Sequence, residues 1–207
     1  GTMSPEIGAY LWLLLENGMS VFVCGETASG KTTTLKAMTT FIRPDSKIYS
    51  VEDTPEVAVP HKCWQQLITR ESGAAGSRVE MYDLLRAALR SRPNYIIPGE
   101  IRGQEGYVAF QAMQTGHPVL STFHAASVHQ MVQRMTGNPI NVPATFMDNL
   151  NAVVVQRAFY RHGKLIRRVI SIDEFEGYYE ETGSVISRTV FTWDPAYDKH
   201  EFVGMYN

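Results

Sequence analysis

The chain has 207 residues, of which 44% are hydrophobic, 19% charged and 11% aromatic, a composition that supports one packed core and excludes a disordered chain. Nineteen Lys+Arg against 21 Asp+Glu leave a formal net charge of −2, without the basic excess of a duplex-binding surface. No apolar run is long enough to span a bilayer, and the two cysteines, Cys24 and Cys63, form neither a disulfide framework nor a four-cysteine zinc site.

Taken in chain order, Gly1-Thr2-Met3 reads as an expression scar, and no signal peptide follows; a reduced, cytoplasmic compartment is expected. Ser4-Pro5 is a helix start, with Ile7, Tyr10, Leu11, Leu14 and Leu15 on one face and Asn17-Gly18 as the stop. Val21 to Cys24 is a short buried strand, Lys31 to Ile42 a helix stopped by Pro44, Lys47 to Val51 a second strand and Cys63 to Thr69 a third. Glu71 to Arg78 is small and polar, a loop. Met81, Leu84, Leu85, Ala88 and Leu89 mark a helix ending before Pro93, followed by a strand at Tyr95-Ile96-Ile97, a helix from Gln104 to Gln114, a strand from Pro118 to Thr122 and a helix near Val128 to Met135. This alternation predicts an α/β fold with a mostly parallel sheet over 4–151. From 152 to 207 the texture changes to strands at Val153 to Tyr160, Leu165 to Phe175, Val185 to Trp193 and Glu201 to Met205, with Arg161-His162-Gly163-Lys164 as a turn. These predict an antiparallel extension on one side of the same domain.

The chemistry concentrates after the strands. Gly25-Glu26-Thr27-Ala28-Ser29-Gly30-Lys31-Thr32 matches G-x-x-x-x-G-K-[ST], a phosphate-cradling loop that leads into a helix N-terminus. Four fixed positions recur by chance in such a chain roughly once in a hundred, and here the flanking strand and helix are also present. Gly25 through Thr33, with Glu26, Thr27, Ala28, Ser29 and Gly30 between, form the nucleotide-binding set; Lys31 reaches the β- and γ-phosphates and the Thr32 hydroxyl is a Mg²⁺ ligand. Glu100, at the end of Tyr95-Ile96-Ile97-Pro98-Gly99, is placed to take a proton from water or hold Mg²⁺, although the usual Asp before it is Gly99. Glu52, in Ser50-Val51-Glu52-Asp53-Thr54-Pro55-Glu56, ends the neighbouring strand; convergence with Glu100 and an ordinary acidic turn fit it equally. His124 follows a strand on the phosphate side, where it can sense a charge, whereas His117 precedes that strand and reads as a turn residue. Arg86 and Arg90, at i and i+4, point away from the apolar stripe of their helix, either into solvent or toward a neighbouring subunit's phosphates.

In order, GETASGKT, SVEDTPE, IIPGEIRG and TGHPVLSTFHA resemble the Walker A, Asp-box, Walker B and His-box motifs of the type II/type IV secretion ATPases, which include pilus and archaellum motors. DLLRAALRSRPNYII and HAASVHQMVQRMTGNPINVP resemble the archaeal branch most. The resemblance covers the C-terminal motor domain and implies a RecA-like P-loop core that assembles as a homo-hexamer with ATP and Mg²⁺ between subunits. It also implies work at the inner face of the cytoplasmic membrane on a polytopic platform protein and pilin-like or filament components. On this chain it makes Glu100 the catalytic base, Glu52 the Asp-box carboxylate, His124 a sensor, and Arg86 and Arg90 the arginines of the helix before Walker B; Arg102 follows its Glu. Pro98, the extra Thr54 before Pro55 and the missing tetracysteine motif depart from the family pattern, the last implying no zinc. An archaellum motor, a nucleic-acid motor and a P-loop phosphotransferase are the alternatives. Against the last stand the lack of an acceptor site and a lid, and against the nucleic-acid motor the acidic balance.

Overall fold

The structure, a computed structural model, describes residues 1–70 and 78–204. The loop expected over Glu71 to Arg78 therefore lies, but for Arg78, outside the described residues, as does Met205 of the last predicted strand.

Helix α1 (Pro5–Glu16) starts where Ser4 Oγ accepts a hydrogen bond from the Ile7 N–H and buries Ile7, Leu11 and Leu15. Residues 1–3 lie against the fold: the Thr2 carbonyl accepts from the Val169 N–H at 2.8 Å and Met3 packs against the core. β1 (Val21–Gly25) is buried at every position and leads through the glycine-rich loop into α2 (Lys31–Thr39). This helix stops three residues short of the expected Ile42. The Thr39 and Thr40 hydroxyls bond the carbonyls of Lys36 and Ala37, and Thr40, Phe41 and Ile42 continue as tighter i→i−3 turns, the competition by which β-branched hydroxyl residues end helices.

β2 (Lys47–Glu52), β3 (Cys63–Ile68), α3 (Met81–Arg90) and β4 (Tyr95–Pro98) follow. The strand expected at 95–97 divides: β4 pairs with β2, and a separate β5 (Glu100–Ile101) pairs with β6 (Leu120–Phe123). Pro98 is the reason. The Ile96 N–H bonds the Pro118 carbonyl and the Gly99 N–H bonds Val51, so the vacant nitrogen of Pro98 faces β6, where a ladder bond is lost. Two side chains close the gap: Ser121 Oγ donates to the Pro98 carbonyl and Thr122 Oγ1 to Gly99, each at 2.7 Å. At about 1 kcal/mol each, two such bonds more than offset one missing rung. α4 (Glu105–Gln114), α5 (Val128–Thr136) and an unanticipated 3₁₀ helix (Ala144–Asn149) complete the α/β part.

The sheet order is β10-β9-β8-β7-β1-β6-β5, with β3-β2-β4 attached through a bridge between Ile96 and Val119. β1, β2, β3, β4, β5, β6 and β7 (Ala152–Arg161) pair in parallel; β8 (Lys164–Tyr179), β9 (Ser184–Asp194) and β10 (Lys199–Phe202) are antiparallel. The fold is thus α/β with a parallel core and antiparallel C-terminal strands. One face packs on α1 and α2 through Leu11, Leu35 and Met38, the other on α3, α4 and α5 through Leu85, Phe110 and Met131. The carboxyl ends of β1, β2, β5 and β6 converge at one sheet edge, where ligands bind in open α/β folds.

Candidate phosphate-binding site

At that edge lies a cleft of about 170 Å³ lined by Lys31, Thr32, Glu52, Gly99, Glu100 and Arg102, among others. Gly30 caps α2 at φ +92°, a left-handed conformation that a side chain resists, and its turn aims the free N–H groups of the first helical residues outward. Lys31 Nζ donates to the Glu26 carbonyl at 3.1 Å across the loop. Burial pulls the Lys31 ammonium below the ordinary lysine value, while the nearby Glu100 charge opposes that shift. Ser29 Oγ is buried with no hydrogen-bond partner among the described residues. The loop is formed and leads directly into the α2 N-terminus, the arrangement that binds phosphate.

The acidic residues divide the work. Glu52, 3% exposed, accepts at Oε1 from the N–H groups of Glu56 (3.0 Å) and Val57 (2.8 Å), and at Oε2 from Gln66 Nε2 (2.9 Å). It lines the cleft together with Glu100 and also organises the acidic turn. Gly99 makes this possible, because a Cβ there would come within 3.0 Å of Glu52 Cγ. Glu100 lies across the cleft and is ion-paired with Arg102, whose Nε sits 2.9 Å from Oε2 and whose NH2 makes a second bond. Asp53 is 4.0 Å from the same guanidinium, and Glu100 above all holds Arg102 firmly charged. Among the described residues there is no cluster of three metal-binding side chains, but the cleft brings together a hydroxyl and a carboxylate, hard oxygen donors of the kind that Mg²⁺ takes alongside water and substrate oxygens. Thr32 and Glu100 are the groups present for it.

The remaining expected residues lie farther out. Thr33 is exposed on the helix. His124 is exposed and does not line the cleft; its carbonyl is held by Arg134, which also covers Phe123 at 5.0 Å. Arg86 and Arg90 are exposed on α3, with Arg86 over the Tyr82 ring. His117 bonds Thr115 Oγ1 in the turn at the opposite sheet edge.

Two residues that hold the loop were not singled out from the sequence. Gln156, 2% exposed, donates to the Ser29 carbonyl at 2.5 Å and accepts from Thr34 Oγ1 at 2.7 Å. Arg167 Nε donates to the Ala28 carbonyl at 2.9 Å. A polar residue ending the run Ala152-Val153-Val154-Val155 was the available signal for Gln156; Arg167 carried none, since its partner is 139 positions away.

Comparison with known proteins gives consistent likenesses. The sequence profile of a family described as "Type II/IV secretion system protein" matches residues 1–184. An uncharacterised protein of Methanocaldococcus jannaschii is 66% identical over 207 residues, all of this chain and 38% of that protein. Among solved structures, the VirB11 ATPase of the Brucella suis type IV secretion system superposes with TM-score 0.68 at 26% identity, over 81% of this chain and 54% of that one. The pilus retraction motor PilT with bound ADP superposes with TM-score 0.63 at 26% identity, over 80% and 50%. This chain spans well under two thirds of each.

Proposed function

The chain belongs to the type II/IV secretion system protein family, and from that premise we propose that it hydrolyses ATP as the motor domain of a hexameric secretion or pilus-assembly ATPase. The observation that carries this reading is that Lys31, Thr32 and Glu100, far apart in sequence, line one cleft at the carboxyl ends of parallel strands. The loop N–H groups and Lys31 bind the β- and γ-phosphates, and the Thr32 hydroxyl, with Glu100 through water, would hold Mg²⁺. When bound, the ion screens phosphate charge. Glu100 accepts the proton of the water whose oxygen attacks the γ-phosphorus, as the bridging bond to the β-phosphate breaks and ADP departs. In the structure Glu100 is paired with Arg102, so a γ-phosphate that draws the guanidinium to itself frees the base at the moment of need. Glu52 holds the facing turn in place, and His124, Arg86 and Arg90 act from beyond the cleft.

The work is done at the inner face of the cytoplasmic membrane on a platform protein with pilin-like or filament subunits; the similarity to VirB11 and PilT supports this. No helix among the described residues is long and apolar enough to cross a membrane, as a peripheral motor requires. The deciding experiment is Glu100→Gln. It keeps shape and one acceptor but takes no proton, so MgATP binding persists while hydrolysis falls about 10²–10⁴-fold. Hydrolysis within twofold of the parent chain rules out Glu100 as the base.

A further inference from the structure

The cleft beside Glu100 is too small for a whole nucleotide: about 170 Å³, against roughly 300–1,000 Å³ for sites that enclose a complete small ligand. It takes the terminal phosphate, and the nucleoside must lie elsewhere. The sheet order shows where. Glu100 is on β5, two strands to one side of β1, and the β7–β8 hairpin flanks β1 on the other. A polyphosphate threaded through the loop with its γ end toward Glu100 therefore sends its nucleoside toward this hairpin.

The hairpin is built to meet it. Gly25, the last residue of β1, pairs with Gln156, so β7 runs on past the sheet edge as a two-stranded overhang, placing Tyr160 roughly 14 Å beyond. Gln156 and Arg167 both bond loop carbonyls, which fixes the face they share as the one toward the glycine-rich loop. Side chains alternate along a strand, so Ala158 and Tyr160 on β7 lie on that face, and their cross-strand partners are Arg167 and Leu165. Tyr160 is 77% exposed and Leu165 42% exposed. A single exposed apolar side chain needs no explanation. Here two are directly paired next to a guanidinium already committed to the phosphate loop. The ring supplies a stacking face, Leu165 an apolar floor, and the Arg167 guanidinium, bonded through Nε to the loop, carries further N–H donors of the kind that ribose and phosphate oxygens accept from.

Resting on the ATPase reading above and deepening it, we infer that Tyr160, Leu165 and Arg167 form the nucleoside platform of the site, with the base stacked on Tyr160. The base thereby contributes affinity that inorganic polyphosphate lacks, and the C-terminal strands take part in nucleotide recognition.

The test compares two probes on the 207-residue chain with Mg²⁺: ATP, and inorganic tripolyphosphate, which has phosphates but no nucleoside. The parent chain binds ATP more tightly. Tyr160→Ala weakens ATP binding about five- to a hundredfold, the range for removing one base–aromatic stack, and leaves tripolyphosphate binding unchanged. Tyr160→Phe, which keeps the stacking face, stays within about twofold of the parent. Equal affinity of the parent for both probes, or unchanged ATP affinity in Tyr160→Ala, overturns the platform while leaving the phosphate site intact. A Tyr160→Ala loss that is equal for both probes also overturns it, since the hairpin then only props the loop. If the parent binds neither probe, the ATPase reading and the platform fall together.

Discussion

Glu52 shows how one residue can serve architecture inside the candidate phosphate-binding cleft. Its two oxygens are engaged by three donors, two backbone N–H groups and the Gln66 amide. Glu52→Gln keeps the Oε1 acceptor but turns an amide toward Gln66 Nε2, setting donor against donor. The expected cost is about 1–3 kcal/mol, a fall in melting temperature of several degrees for a chain of this size. The double variant Glu52→Gln with Gln66→Glu restores a donor–acceptor pair with the roles exchanged and should recover most of that stability. If hydrolysis returns with it, Glu52 acts by holding the turn; if stability returns while hydrolysis stays at least a hundredfold down, its charge acts on the nucleotide. The sequence placed Glu52 at the strand end beside the cleft, but its contact with Gln66 was not legible there, because that partnership across β2 and β3 depends on parallel register. Likewise Glu100 was legible as a strand-end acid, whereas its dominant partner, Arg102, had a place only through the family resemblance.

At the scale of elements, periodicity carried most of the fold: α1 and α3 begin and end within a residue or two of their expected limits, because capping residues and apolar stripes are local signals. What escaped depends on nonlocal contacts. The division of β4 from β5 required knowing that Pro98 faces β6, and the 3₁₀ helix at Ala144–Asn149 carries no 3.6-residue stripe. β8 runs on to Tyr179, past the expected Phe175, since a β-bulge between Phe175 and Gly177 lets it continue through a break in alternation, whereas β10 is Lys199–Phe202, starting two residues before the expected Glu201 and ending at Phe202, with Val203 and Gly204 outside the strand. These strands are tied by Asp198, which takes a two-pronged contact from Arg168 (2.7 Å to each oxygen) and a bond from Trp193 Nε1 at 2.9 Å. Arg168 above all, with Trp193, holds the Asp198 carboxyl well below the ordinary aspartate range. A carboxylate depressed in the folded state stabilises above its unfolded value, near pH 4, and loses that contribution as pH falls toward its folded value. Asp198→Asn should therefore cost about 1 kcal/mol at pH 7, a modest figure because the side chain is 33% exposed. Melting curves of the two chains should converge below about pH 4; a constant gap across that range would show that the contact works through shape rather than charge.

For the molecule as a whole, the placement of cations decides how much of the site one copy supplies. On the Glu100 side the cleft holds Glu52, Asp53, Glu56 and Glu100 against Lys31 and Arg102, an excess of negative charge that a triphosphate meets only with help from Mg²⁺ and further cations. Arg86 and Arg90 are exposed on α3, whose Leu85 and Ala88 face is buried against the same chain. Surface arginines of this kind change stability by no more than about 0.5 kcal/mol when removed, so Arg86→Ala and Arg90→Ala should melt within about 2 °C of the parent. If they complete a neighbour's site across a subunit junction, each variant should nevertheless lose at least tenfold in hydrolysis, the direction known for arginines supplied in trans to phosphoryl transfer. Mixing separates this from an effect within one copy. Lys31→Ala chains carry intact arginines but no working phosphate loop, and the arginine variants carry the reverse. In a random equal mixture, roughly a quarter of head-to-tail junctions unite an intact loop with an intact arginine, so inactive partners should regain activity on mixing at concentrations that favour assembly. Activity that stays at the level of the separate variants would place both arginines in solvent and leave the charge of the γ-phosphate to Lys31, Arg102 and the metal alone.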